Sequence, residues 1–255
     1  MTIEEAVDLL WQSTQQGAPP APALQKTLTF AEAYRVQLGM LARWQAGGEK
    51  LGGWKIGLSA DGARKMFGLQ TPIAGYLLAS RQFPSGHTFT LTALRKPIIE
   101  SELCFTLGKR LAGPGVTRAH VLPAIAAVAP AFEVVDMRMD MAADMPLGVA
   151  DDVAQWGYVT GAAVSPYPPS LDLGQITAEM RRNGETIAQV RGQEVIDNQL
   201  DSIAWLANHL AEYGLVLEEG QRIMSGSFTR PTAIASGDHW ETSFSSVGTV
   251  TAVFV

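Results

Sequence analysis

Apolar positions recur at helical spacing twice near the start of the chain. Ile3, Val7, Leu10 and Trp11 form one stripe, and Phe30, Tyr34, Leu38 and Leu41 form another that ends near Gly47. Thr29 and Glu32 have the spacing of a capping box, in which two side chains reciprocally satisfy backbone amides at a helix start. Between the stripes, Gly17, Pro19, Pro20 and Pro22 predict an exposed connection. Beyond residue 50 the pattern changes to short apolar runs and alternation with a period of two. Trp54–Leu58, Thr88–Leu91, Glu102–Leu107, Ala131–Asp136, Trp156–Thr160 and Ser243–Val255 read as strands, and Gly248 marks a bulge or close backbone approach in the last. Asp61–Phe67 reads as a short helix stopped by Gly68. Thr117 caps a helix toward Val128 that Pro123 shortens or kinks, and Val195–Leu210 places Ile203, Leu206, Ala207 and Leu210 on one face. With no repeat, low-complexity tract or strong linker, the pattern predicts an α+β chain. A helical cap covers residues 1–50, and one integrated core covers residues 51–255.

Composition narrows the setting. Charged residues make up 17% of the 255, and 19 Lys and Arg against 25 Asp and Glu give a net charge of −6. Mean hydropathy is +0.08, so the chain has neither the high charge nor the low hydrophobicity of a disordered segment. A sequence pI near 5.2 argues against non-specific nucleic-acid binding, which needs a dense field of basic side chains. No membrane partner is expected: the apolar run Val121–Val135 is broken by Pro123, Pro130 and Glu133, well short of a bilayer span. Glu4, Glu5 and Asp8 at the amino end, with no basic region, do not read as a signal peptide. A single cysteine, Cys104, forms no intrachain disulfide, which fits a cytoplasmic protein. Weak surface charge on an apolar chain favours a homo-oligomer.

The sharpest chemical feature is acidic. In an extended chain Glu100 and Glu102 point to the same face, and Leu103 and Phe105 add apolar text beside them. Glu133 lies inside another apolar stretch, where a buried charge demands a partner. Converging carboxylates repel unless a cation compensates them, and hard oxygen ligands suit Mg²⁺ or Mn²⁺. Solvated strand edges or buried ion pairs with the sparse basic residues are the other reading of the same text. Lys55, set among Trp54, Ile56 and Leu58, suits either a proton donor or anion anchor, or a lysine whose charge reaches the surface. Cys104 reads as a buried thiol. The four histidines are scattered, with no close zinc-ligand pair, and the nucleophile elbow, the Walker loop and the dinucleotide fingerprint are absent.

Trp54-Lys55-Ile56-Gly57-Leu58-Ser59, Pro97-Ile98-Ile99-Glu100-Ser101-Glu102, Phe132-Glu133-Val134 and Ser225-Gly226-Ser227-Phe228-Thr229-Arg230-Pro231 follow in order along the chain. In that order and separation they resemble the 2-keto-4-pentenoate hydratase and 4-oxalocrotonate decarboxylase family, within the fumarylacetoacetate hydrolase-like superfamily. The resemblance implies a mixed β-roll or barrel core with an amino-terminal helical cap. It also implies a divalent cation, Mg²⁺ or Mn²⁺, held by Glu100, Glu102 and Glu133, with Lys55 as the catalytic proton-transfer residue and substrate anchor. The substrate, a small 2-oxo or 2-hydroxy carboxylate from aromatic-ring cleavage, is expected to meet Leu103, Asp152, Trp156, Ser227, Phe228 and Arg230. Arg230 suits a distal carboxylate, or a turn-fixing salt bridge at a subunit interface.

Two departures bear on the reaction. Ile73 stands where many hydratases carry an aspartate, which resembles the decarboxylase branch, whereas Gly226–Pro231 resembles the hydratase branch. Asp152-Val153-Ala154 replaces the family's Asn-Ala-Ser, losing an amide donor and a hydroxyl. The leading expectation is a hydratase that adds water to a 2-hydroxy-2,4-dienoate. The alternatives are a 2-oxo-3-enedioate decarboxylase, an acylpyruvate hydrolase, or a non-catalytic subunit that associates with a pathway hydratase or decarboxylase.

Overall fold

The computed structural model describes residues 1–255. Two sheets carry the fold. The larger runs in the spatial order β2 (Ile73–Leu78), β1 (Leu51–Gly57), β10 (Arg222–Ser227), β5 (Pro97–Leu107), β6 (Ile125–Asp136), β7 (Gln155–Thr160) and β3 (Gln82–Pro84). A short β11 (Thr232–Ala233) lies beside the start of β5. The smaller sheet runs β4 (His87–Phe89), β13 (Gly248–Phe254), β12 (His239–Phe244), β8 (Thr177–Arg182) and β9 (Glu185–Arg191). The helices are α1 (Ile3–Gln15), α2 (Phe30–Ala46), α3 (Asp61–Met66), α4 (Arg118–Val121), α5 (Met145–Ala150), α6 (Gly192–Val195) and α7 (Gln199–Ala211).

The two long strands β5 and β6 pair antiparallel and position everything else, because their alternation divides the sheet into unlike faces. Leu103 and Phe105 enter the main core with the helices. Toward the strand ends, Ile99, Phe132 and Val134 pack with Trp240, Val250 and Phe254 of the smaller sheet. The opposite face of β5 carries Glu100, Glu102 and Cys104. Only a small apolar cluster accompanies them there, made of Leu77, Cys104, Ala131, Tyr158 and Met224.

The expected roll or barrel closure does not occur, since both sheets are open and their terminal strands do not meet. The reason lies at β2. Its outer backbone groups are already taken by side chains. The Ala74 N–H donates to Tyr34 Oη (3.1 Å), the Ala74 carbonyl accepts from Gln37 Nε2 (2.9 Å), and the Tyr76 N–H donates to Asp152 Oδ1 (2.7 Å). An edge satisfied in this way offers no ladder to another strand. At the far end β3 is three residues long and ends on Pro84, which has no N–H to give. Both capping side chains of α2 come from the first fifty residues, and Gln37 also donates to the Val149 carbonyl (2.7 Å), so these helices are built into the sheet edge.

The expected helix from Thr117 to Val128 is corrected most. It lasts one turn, Arg118–Val121, passes through a tight turn at Pro123, and becomes β6 at Ile125. Proline lacks the N–H an α-helix interior needs, and the β-branched, small-residue run that follows suits a strand buried on both faces. The run from Val195 divides at Asn198, whose side chain accepts from the Leu200 and Asp201 amides and starts α7 afresh. The carboxy-terminal strand is a hairpin, β12 and β13, turning at residues 245–247, and Gly248 opens β13 at φ +133°.

Candidate active site

Antiparallel register places Glu100 directly opposite Glu133, and Glu102 opposite Ala131 one step along the same face. One carboxylate oxygen from each of the three lies within 4.8 Å of the others. Glu102 and Glu133 are buried, while Glu100 keeps partial access. Lys55 reaches the group from β1, with Nζ 2.9 Å from Glu133 Oε1 and its side chain 4% exposed. Three carboxylates therefore face one ammonium.

The local backbone is shaped to hold them. A bulge between Met224 and Ser227 turns the Gly226 N–H toward Glu102, and it donates to Oε2 at 2.9 Å. Gly226 has φ +110°, and a Cβ there would lie 2.0 Å from Ser59 Oγ, so only glycine fits. Gly75 has a similar role: a Cβ would come within 2.8 Å of Asp152 Oδ1 and 3.3 Å of Lys55 Cγ. Its absence lets Asp152 settle over β2 beside the lysine. Asp152, Val153 and Ala154 are successive non-glycine residues in the left-handed region, at φ +56°, +52° and +58°. Such residues store strain of order 1–3 kcal/mol each and persist where surrounding structure over-determines them.

Burial, then the neighbouring Glu133 charge, pushes Glu100 up to about 7, with Lys55 pulling the other way. The same causes, joined by Glu100, hold Glu102 well above the ordinary carboxylate range despite the Gly226 hydrogen bond. Burial also raises Asp152 well above its ordinary value, partly offset by the Tyr76 N–H and by Lys55. For Lys55, burial disfavours the ammonium, but the three glutamates outweigh it and raise its pKa, so it stays charged. Cys104 follows Glu102 on this face, and burial pushes its thiol up to about 12, which denies it thiolate chemistry.

The residues fit a divalent cation. All three donors are hard oxygens, the two charges left after Lys55 match one divalent ion, and Glu133 Oε1 is a buried oxygen without a hydrogen bond of good angle. Ile73 lies on the same sheet face as Lys55, because Ile73 pairs with Gly57 and Gly75 with Lys55. Ile73 Cγ1 and Val153 Cγ1 come within 3.1 and 3.5 Å of the point where a Gly57 Cβ would stand, so the two side chains form an apolar wall there.

The other expected substrate residues are more dispersed. Leu103 is fully buried on the opposite face of β5, and Phe228 is buried against Phe244 with ring centroids 5.1 Å apart. Ser227 Oγ donates to the Thr229 carbonyl (2.7 Å) and so closes the turn after β10. Arg230 is exposed, just after the Ser227–Thr229 turn. Trp156 lines a separate cavity of about 240 Å³ that shares Asp152 as a wall with the acidic site. The guanidinium of Arg81 lies over the Trp156 ring at 4.6 Å. Sequence reading missed Arg81 and Gln155, since nothing local separates them from ordinary polar residues and tertiary packing alone brings them to this cavity.

Asp151, also in that cavity, is buried and paired with Arg138. Burial first, and Asp136 to a lesser degree, outweigh Arg138 and push its carboxyl up to about 6. A raised carboxylate binds a proton in the fold before it does in the unfolded chain, so its stabilising effect is present at low pH and fades as pH rises through that value. Asp151→Asn removes this dependence. The stability of the variant relative to the parent should rise between pH 4 and pH 7 by roughly 2 kcal/mol. Urea unfolding across that range reads the difference, and parallel curves would refute the assignment.

Comparison with known proteins places this geometry. The fumarylacetoacetate (FAA) hydrolase C-terminal family model matches residues 69–255. A 2-hydroxyhexa-2,4-dienoate hydratase of Comamonas testosteroni is 33% identical over 257 residues, covering 99% of this chain and 97% of its own length. A 4-oxalocrotonate decarboxylase of Pseudomonas putida is 34% identical over 229 residues, with 89% of this chain and 86% of the relative covered. The solved structure of 4-oxalocrotonate decarboxylase from Pseudomonas putida G7, complexed with magnesium and adipate, superposes with a TM-score of 0.92 at 31% identity. It covers 100% of this chain and 99% of its own.

Proposed function

The chain belongs to the fumarylacetoacetate hydrolase family, and on that premise we propose that it is a divalent-metal-dependent decarboxylase of a 2-oxo-3-enedioate. Membership and the acidic cluster together support the broader reading, a lyase acting on a small 2-oxo or 2-hydroxy dienoate. The apolar wall of Ile73 and Val153 carries the finer one. A carboxylate that leaves as neutral CO₂ is favoured by apolar surroundings, whereas adding water needs a polar group to hold the water and move its proton. No step of that second kind is available to an isoleucine and a valine.

Glu100, Glu102 and Glu133 would hold Mg²⁺ or Mn²⁺, which supplies Lewis acidity toward a 2-oxo acid. Lys55 holds its proton beside Glu133 and offers an ammonium to the substrate carboxylate or its oxo oxygen. In a six-carbon substrate the C5–C6 bond breaks and C6 departs as CO₂. The electron pair forms C4=C5, the C3=C4 pair moves to C2=C3, and the oxygen on C2 takes a proton from Lys55. Asp152, whose carboxyl burial pushes above its ordinary value against the pull of the Tyr76 N–H and Lys55, orders this end of the site and offers a second group for proton transfer.

That same acid favours the second reading, a hydratase, since water addition across a dienol also needs a proton delivered to carbon. The test is turnover with 2-oxohex-3-enedioate and with 2-hydroxypenta-2,4-dienoate, each with Mg²⁺ or Mn²⁺ supplied, with the products identified. CO₂ release from the first and no hydration of the second is expected. Hydration without CO₂ would install the hydratase in its place, and neither reaction would overturn both.

A further inference from the structure

The cavity beside Asp152 holds one cation that forms no ion pair, although the Glu49 charge acts on it from farther away. Arg138 is paired with Asp151 and also donates to the Ala18 carbonyl and Thr14 Oγ1. Asp136 accepts the Arg95 and Lys96 amides at 2.8 and 2.9 Å. Arg81 has no carboxylate within ion-pair distance, and its guanidinium carbon lies 4.6 Å from the centre of the Trp156 ring, on the cavity wall. Gln155 stands beside it on the cavity wall. Both polar atoms of its amide are shut off from solvent, and neither has a hydrogen-bond partner. Unpartnered buried amide atoms forgo the hydrogen bonds they make in water, so a ligand that satisfies them gains what the empty fold forgoes.

We propose that Arg81 and Gln155 form the subsite for the distal carboxylate of a linear dicarboxylic substrate. The guanidinium donates in a bidentate pair and the Gln155 amide N–H completes the set. Position supports this. Gln155 pairs with Val135, which lies on the same face of β6 as Glu133 and two residues along, about 7 Å at the rise of a strand. Asp152 walls both the acidic site and the cavity. In this proposal a chain of about six carbons runs from the glutamates past Asp152, the wall the two sites share, to Arg81. The inference deepens the decarboxylase reading and rests on it for the substrate class, but its test does not depend on turnover.

Calorimetry of the Mg²⁺-supplemented protein with adipate and with hexanoate, equal in length and unequal in charge, measures the subsite directly. The parent should bind adipate at least tenfold more tightly than hexanoate. Arg81→Gln should erase that preference while leaving hexanoate affinity within about twofold, and Arg81→Lys should restore it in part, since it keeps charge without the bidentate fork. Absence of a preference in the parent, or a preference that survives Arg81→Gln, overturns the proposal. Loss of hexanoate binding in Arg81→Gln also overturns it, because Arg81 would then be holding Trp156 in place. A preference for adipate without CO₂ release would reject the decarboxylase and leave the subsite standing.

Discussion

Replacing Glu102 with Gln is expected to weaken Mg²⁺ or Mn²⁺ binding by about two orders of magnitude, and to reduce turnover at limiting metal in proportion. The same change should raise the melting temperature of the metal-free protein. Glu102 is 1% exposed and faces Glu100 and Glu133, so neutralising it relieves both its desolvation and the repulsion. The amide oxygen can still accept the Gly226 N–H, which keeps the β10 bulge in place. A metal-free melt and a calorimetric titration on one preparation therefore move in opposite directions. A residue that only braced the fold would lower the first, and a residue remote from the metal would leave the second unchanged.

Lys55→Met carries the second large effect. Turnover should fall by roughly 10²–10⁴-fold, the range for losing a positioned proton-transfer group. Metal binding should hold or tighten, because the ammonium 2.9 Å from Glu133 Oε1 competes with any cation for the same field. The metal-free variant should be less stable, since three buried or half-buried carboxylates lose their one compensating charge. Kinetics within about threefold of the parent would remove Lys55 from the chemistry.

These two residues also mark how far the chain could be read unaided. That Glu100 and Glu102 share a face follows from strand alternation alone. That Glu133 is their partner depends on the register of β5 against β6, a pairing thirty residues apart that no local pattern encodes. The Thr29 capping box formed as its spacing predicts, and Thr2 with Glu5 forms another that the same rule detects. The hairpin of β8 and β9 carries a local signal: Asn183-Gly184 between two alternating segments marks a two-residue turn, and both residues adopt positive φ. Val128 and its neighbours misled because apolar runs do not distinguish a buried strand from a buried helix. The Leu103 side chain faces away from Glu102 for a simpler reason, since adjacency in a strand puts neighbours on opposite faces. Open sheets could not be foreseen at all, because the groups that finish β2 come from two distant stretches of chain, α2 and the Asp152 turn.

That last arrangement has a kinetic meaning. The hydrogen bonds along the β2 edge join residues 37, 40 and 76 positions apart. The edge therefore stays unfinished until α2 and the Asp152 turn have both arrived, and distant contacts of this kind form late and together. The amino-terminal helices stand in for an absent strand, and Asp152 ties that substitute to the ground beside Lys55. Loosening the helices would thus be felt at the chemistry two contacts away, through a single aspartate that serves as both clasp and wall.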